Sequence, residues 1–200
     1  MKFIIATGNP KKLIELNRIL NPLGIDAITA KEASINLEDV EETGKTFEEN
    51  AKIKARAAAK LTNLAVVADD TGLCVDALDG APGVYTARYA GENATDQQKY
   101  EKLLNALKGV PHAKRTAHFS TCICCILPNK EEIIVSGRCD GYIAEKPHGT
   151  NGFGYDPVFE LENGKSLAEL TAKEKDKISH RGNALRNFKA KLQEKLAELN

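Results

Sequence analysis

Short apolar runs alternate with helical stripes along most of this chain. Lys2–Ala6 has the length and character of a buried strand. Asn9 and Pro10 then stand at the favoured cap and first positions of a helix. Leu13, Leu16, Ile19 and Leu20 continue that helix at helical spacing, and Asn21-Pro22-Leu23-Gly24 ends it. Ile25–Thr29 predicts a second strand, so the chain opens as β-α-β. Leu37–Lys45 is acidic and turn-like. Thr46 and Glu49 form a capping box ahead of an alanine-rich helix. Leu64–Ala68 is a third apolar strand, which runs into Asp69-Asp70-Thr71-Gly72.

The second half reads differently. Asp79-Gly80-Ala81-Pro82-Gly83 is a turn cluster, and Thr95 with Gln98 opens another helix through about Leu107. Two β-rich segments, RTAHFSTCICCIL and EEIIVSGRCDGYIAE, flank Pro128-Asn129-Lys130 as a hairpin. A glycine-rich loop, HGTNGFGYD, spans 148–156. A final helix is predicted from about Ser179 to Leu199, with Leu185, Phe188, Leu192 and Leu196 as its core stripe. Early alternation followed by a hairpin predicts one compact α/β domain over 1–200 with a mixed sheet.

Composition narrows the function. Lys plus Arg and Asp plus Glu each number 28 in 200 residues, so the formal net charge is zero. That balance argues against a nucleic-acid binder but leaves small anionic ligands open. No apolar run approaches the roughly 20 residues of a membrane span, and no signal peptide is read at the start. Five cysteines without framework spacing fit a reducing cytoplasm. Cys122 and Cys125 on a strand point to opposite faces, so they read as core residues rather than as a metal or disulfide pair.

Five stretches can carry chemistry, and each has a plain structural alternative. Thr7-Gly8-Asn9-Pro10-Lys11-Lys12 offers backbone donors, a helix N-terminus and a lysine to a phosphate, or is an ordinary capped helix start. Asp69-Asp70-Thr71-Gly72 can hold a Mg2+ ion and activate a water, or is a turn between strands. Glu38-Asp39-Val40-Glu41-Glu42 can supply a second metal carboxylate, with Lys45 or Lys54 balancing charge, or is a solvated loop. Gly152-Phe153-Gly154-Tyr155-Asp156 can wrap and stack on a flat base, or plugs an aromatic into the core. Lys175 with Ser179-His180-Arg181-Gly182 presents hydrogen-bonding groups at a helix start, where cations are unfavourable to the helix dipole; the alternative is an exposed helix end. Together these are the parts of a nucleoside triphosphate hydrolase.

Five segments, ATGNPKKLIEL (6–16), EETGKTFEENAKIKA (41–55), ADDTGLCVDALDGAPGVYTARYAG (68–91), GTNGFGYDPVF (149–159) and ELTAKEKDKISHRGNAL (169–185), closely resemble the inosine triphosphate pyrophosphatases, also called dITP/XTP pyrophosphatases. The resemblance implies an elongated two-lobed α/β fold around a long mixed sheet with flanking helices, an active-site cleft between the lobes, and a homodimer. It implies Mg2+-assisted hydrolysis of ITP, dITP and XTP to the monophosphate and pyrophosphate by water attack at the α-phosphorus. Asp70 is then the general base and a metal ligand, with Glu41 the second metal carboxylate, in a register that neighbouring Glu42 leaves open. Thr7, Gly8, Asn9, Pro10, Lys11 and Lys12 contact the nucleotide, with Asn9 and Lys12 near the phosphates. Lys54 helps with the phosphates, and Thr71 stands where serine is common. Phe153 stacks on the base, and Gly154, Tyr155 and Asp156 line its pocket. Lys175, His180 and Arg181 bind substrate. Two other readings are Maf-like pyrophosphatases acting on pyrimidine or modified nucleotides, and a nucleotide-binding sensor without activity.

Overall fold

The structure is a computed structural model that describes residues 2–7, 9–37 and 40–198, without the side chains of Ile19, Leu23, Leu196 and Glu198. Among the described residues there are six strands, β1 (Lys2–Ile5), β2 (Asp26–Thr29), β3 (Ala65–Val75), β4 (Thr116–Ile126), β5 (Glu132–Ile143) and β6 (Phe159–Glu160). They form one sheet in the order β2-β1-β3-β4-β5-β6. β1 pairs in parallel with β2 and with β3, and β6 pairs antiparallel with β5, so the sheet is mixed. β4 and β5 are joined by a short loop closed by the Leu127 N–H to the Glu131 carbonyl at 2.9 Å. Five α-helices accompany them among the described residues: α1 (Pro10–Leu20), α2 (Phe47–Ala59), α3 (Asp96–Ala106), α4 (Ala172–Ile178) and α5 (His180–Glu198).

The chain divides into two compact units. The first comprises Met1–Asp70, Thr121–Gly137 and Arg181–Asn200. Its strands are apolar on both faces because each face is covered. Along β1, Phe3 and Ile5 enter a core with Leu16 and Leu20 of α1 and Leu185 and Phe188 of α5. Ile4 and Ala6 enter a second core with Ala51, Ala55 and Ala58 of α2. The period-two pleat of a strand produces this division. β4 repeats it: Ile123 and Cys125 join the first core, Cys122 and Cys124 the second. None of the five cysteines forms a disulfide.

The second unit comprises Thr71–Ser120 and Arg138–His180. Its single core gathers Leu73 and Val75 with Leu103 and Leu107 at the end of α3, Phe119, Ile143, Tyr155 and Phe159. Among the described residues no helix is long and apolar enough to cross a membrane.

The caps expected from the sequence form. Asn9 accepts from the Lys11 and Lys12 amides, and Thr46–Glu49 and Thr95–Gln98 are both complete capping boxes. The largest departure concerns β3, which continues past Ala68 for a total of 11 residues, so Asp69 and Asp70 lie within a strand rather than at its end or in a turn. Cations on the flanking helices meet both carboxylates, and Leu73 and Val75 resume the buried pattern beyond them. The sequence reading also passed over α4. Thr171 and Glu174 form its capping box, and Ser179 lies in extended conformation between it and α5.

Candidate active site

The pleat of β3 separates its two adjacent carboxylates. Ala65 and Val67 face the core under α1 and α5, while Val66 and Ala68 face α2. By the same alternation Asp69 meets α1 and α5, and Asp70 meets α2. Asp69 is buried, with Oδ2 at 3.0 Å from Lys12 Nζ and 3.7 Å from Arg181 Nη2. Arg181 is itself fully buried and also donates to Glu15, a buried carboxylate one turn beyond Lys12 on α1. Burial works against the Asp69 anion, but Lys12, Arg181 and Lys54 outweigh it and hold the carboxyl well below the usual range. Burial lowers the Lys12 ammonium, with Asp69 opposing.

Asp70 has a different environment. Its Oδ2 accepts from Asn50 Nδ2 at 3.1 Å, and its Oδ1 is 3.7 Å from Lys54 Nζ. Its backbone carbonyl accepts from the Thr121 hydroxyl at 3.1 Å. Burial pushes the Asp70 carboxyl up, with Lys54 the main opposing influence. Lys54 is raised: burial lowers it, but Asp70, Asp69 and Glu42 outweigh that. A carboxylate whose proton affinity is raised by its surroundings is suited to accept a proton.

The opening loop and the acidic loop belong to the same unit. Asn9 caps α1 and its own amide donates to Thr7 Oγ1 at 3.2 Å. Pro10 and Lys11 are exposed at the helix start, and Lys12 reaches Asp69. Gly8, Glu38 and Asp39 lie outside the described residues. Glu42 Oε1 lies 3.0 Å from Lys54 Nζ, so one ammonium stands between Glu42 and Asp70. Glu41 is exposed. Between the two, the structure brings Glu42 towards Asp70. Asn50 was not among the residues singled out from the sequence. It is buried, donates to Asp70, and accepts from the Gly44 amide at 2.8 Å, which ties the acidic loop to α2.

The second unit carries the other predicted residues. Asp156 is buried, and its Oδ2 accepts from the Phe153 amide at 2.8 Å and from Lys175 Nζ at 2.7 Å. The same ammonium lies 4.9 Å from the centre of the Phe153 ring, which is half-buried. Tyr155 is buried and donates its hydroxyl to the Thr86 carbonyl at 3.0 Å. His180, also buried, stacks on Phe119 with ring centres 4.7 Å apart. Thr71 is half-buried in β3. Gly152 has φ +75°, and a Cβ there would clash with Asp156 Oδ2. Gly152→Ala is therefore expected to displace the Asp156 carboxylate from Phe153 and Lys175. The Phe153 amide should then exchange its hydrogen faster than in wild type, and unchanged exchange would show that the carboxylate stays in place.

Glu15, Asn50 and Phe119 are the site neighbours that sequence reasoning missed. Helical spacing held a signal for two of them. Glu15 is three residues from Lys12 on α1, and Asn50 is four from Lys54 on α2, so each shares a face with a residue already singled out. Phe119 is a strand residue in an apolar pattern, and nothing local marks its contact.

The sequence profile of the Ham1 family matches residues 3–191. The chain is 50% identical over 186 residues to a dITP/XTP pyrophosphatase of Bacillus subtilis, covering 92% of this chain and 93% of that one. It is 49% identical over 199 residues to a dITP/XTP pyrophosphatase of Thermoanaerobacter sp., covering 99% and 100%. Among solved structures, a HAM1 protein from Coxiella burnetii superimposes with TM-score 0.87 at 44% identity, covering 97% of this chain and 99% of that one. A nucleoside-triphosphatase / dITP/XTP pyrophosphatase from Mycobacterium abscessus does so with TM-score 0.76 at 46% identity, covering 94% and 98%. With its carboxylate-bearing strand, its capped lysine helix and these relatives along nearly its whole length, the chain belongs to the Ham1 family.

Proposed function

We propose that this protein is a nucleoside triphosphate pyrophosphatase that hydrolyses ITP, dITP and XTP to the monophosphate and pyrophosphate, clearing nonstandard purines from the nucleotide pool. One observation carries the reading. A chain about half identical to dITP/XTP pyrophosphatases places a buried carboxylate with raised proton affinity, Asp70, against a lysine and a second carboxylate. In this reading Asp70 takes the proton from water as the new bond to the α-phosphorus forms and pyrophosphate leaves. Lys12 and Lys54 offset phosphate charge, and Thr7, Gly8, Asn9, Pro10 and Lys11 cradle the phosphates at the start of α1. The two units work as one catalytic domain in this proposal.

Mg2+ is the proposed metal. The residues fit it: the Lys54 ammonium already stands between Glu42 and Asp70, so the two carboxylates favour positive charge at one place. Among the described residues no group of three or more metal-ligating side chains gathers. Mg2+ commonly takes one or two protein carboxylates and completes its shell with water and phosphate oxygens. Asp70 with Glu42, or with Glu41 after loop movement, would hold it, and when bound it would supply charge stabilisation to the phosphates.

Phe153 is the proposed platform for the base, with Gly154, Tyr155 and Asp156 shaping the loop and Lys175 held by Asp156. His180 is the proposed donor to the 6-carbonyl of hypoxanthine or xanthine. Adenine offers an amine there, and a buried donor left without a partner costs about 1–3 kcal/mol. The Arg181 fork is engaged by Glu15 and Asp69, so its contribution in this proposal is to hold Asp69 and the charge balance around Lys12. The resemblance supports a homodimer, and five cysteines without a disulfide support a cytoplasmic location.

A substrate panel tests the proposal against a Maf-like activity. With Mg2+ present, ITP, dITP and XTP are expected to release pyrophosphate faster than ATP, UTP or dTTP. Faster pyrimidine turnover, or release of orthophosphate, would overturn it.

A further inference from the structure

We propose that Asp96 is a positioning residue for base recognition, fixing the Phe153 loop through the Gly154 amide. The inference rests on the reading of Phe153 as the base platform. Asp96 is the first residue of α3, where a carboxylate usually serves its own helix by favouring the positive end of the dipole. Here the capping is done by its neighbours, since the Thr95 hydroxyl accepts from the Gln98 amide and the Gln98 side chain accepts from the Thr95 amide. The Asp96 carboxylate is turned elsewhere. Its Oδ2 accepts from the Gly154 N–H at 2.9 Å, while Oδ1 lies 3.5 Å from Lys99 Nζ.

The consequence lies in the loop. Two consecutive amides bracket the Phe153 side chain, and each is held by a carboxylate from a different element. The Phe153 N–H goes to Asp156 and the Gly154 N–H goes to Asp96. Gly152 and Gly154 both have positive φ, at +75° and +65°, so the segment has little steric constraint of its own. Asp156 alone ties the loop to itself and to Lys175; Asp96 ties it to α3. With both hydrogen bonds in place the backbone that carries the ring under the Lys175 ammonium is set before any base arrives. A platform set in advance binds without the entropic cost of ordering a glycine loop. Asp96 touches no substrate in this scheme and acts through the loop.

The test compares Asp96→Ala, Asp96→Asn and Lys99→Ala by steady-state kinetics with ITP, alongside hydrogen exchange of the Gly154 amide. Asp96→Ala is expected to raise KM at least fivefold with kcat within about twofold, the pattern of lost uniform binding. It should also speed Gly154 exchange at least tenfold. Asp96→Asn, whose amide oxygen can accept the same N–H, should restore both readouts to within about twofold of wild type. Lys99→Ala, which removes a cation beside the Asp96 carboxylate but not the Gly154 hydrogen bond, should change neither. An Asp96→Ala variant with wild-type KM, or an Asp96→Asn variant as impaired as Asp96→Ala, would overturn the proposal. Gly154 exchange unchanged in Asp96→Ala would overturn it whatever the activity. Wild-type protein that releases no pyrophosphate would sink the functional reading instead, and the exchange comparison would still decide whether Asp96 anchors the loop.

Discussion

Asp70→Asn is expected to bind ITP and release pyrophosphate about 10²–10⁴-fold more slowly than wild type, the range a positioned general base contributes. The substitution is nearly isosteric, and an amide oxygen in place of Oδ2 can still accept from Asn50 Nδ2, so the strand and its packing should survive. What disappears is the negative charge and the capacity to take a proton. Pyrophosphate release measures the first effect and calorimetry with ITP measures retained binding. Turnover within tenfold of wild type would remove Asp70 from the role of base. A titration of the metal-free protein carries a matching sign. Without Mg2+ the Asp70 carboxyl is raised by burial, so its protonation, followed by carbon-13 NMR, should occur above the ordinary aspartate value of about 3.9, and added Mg2+ should move it down.

The second large effect concerns stability. Arg181→Met is expected to cost about 3–5 kcal/mol, because removing one member of a buried charged network leaves the others uncompensated. Arg181 is one of the largest fully buried side chains, and its loss takes a cation away from both Glu15 and Asp69. The melting temperature should fall on the order of 10 °C. A pH series gives a second check. Asp69 is held below the usual carboxylate range in the fold, so it stabilises the folded state above about pH 4 and less as pH falls below that. In Arg181→Met the hold on Asp69 is weaker, and that acid-dependent loss should shrink. A variant as stable as wild type would mean the network contributes little.

The sequence told unequal amounts about different parts. Local signals were strong where a few neighbouring residues decide the structure. Asn9-Pro10, Thr46–Glu49 and Thr95–Gln98 marked three helix starts that the structure contains. The pleat of β4 put Cys122 and Cys125 in different cores, as period-two alternation requires. Local reasoning failed where distant partners decide. Two adjacent aspartates read as the end of a strand because a buried charge is costly, but Lys12, Lys54 and Arg181 arrive from three helices and let β3 continue through them. For the same reason Asp69 and Asp70 read as one acidic pair, although the strand sends them to opposite faces with separate partners. Arg181 read as a hydrogen-bonding group at a helix start, and only the tertiary structure brings Glu15 and Asp69 to it. Asp96 was passed over between the two residues of the Thr95–Gln98 capping box, and its contact with Gly154 joins residues 58 apart.

Hydrolysis in water enriched in oxygen-18 tests the central claim most directly. Attack at the α-phosphorus of ITP places the label in the monophosphate and leaves the pyrophosphate unlabelled, which is the result expected when Asp70 directs water to that atom. Label in pyrophosphate, or release of labelled orthophosphate, would contradict it.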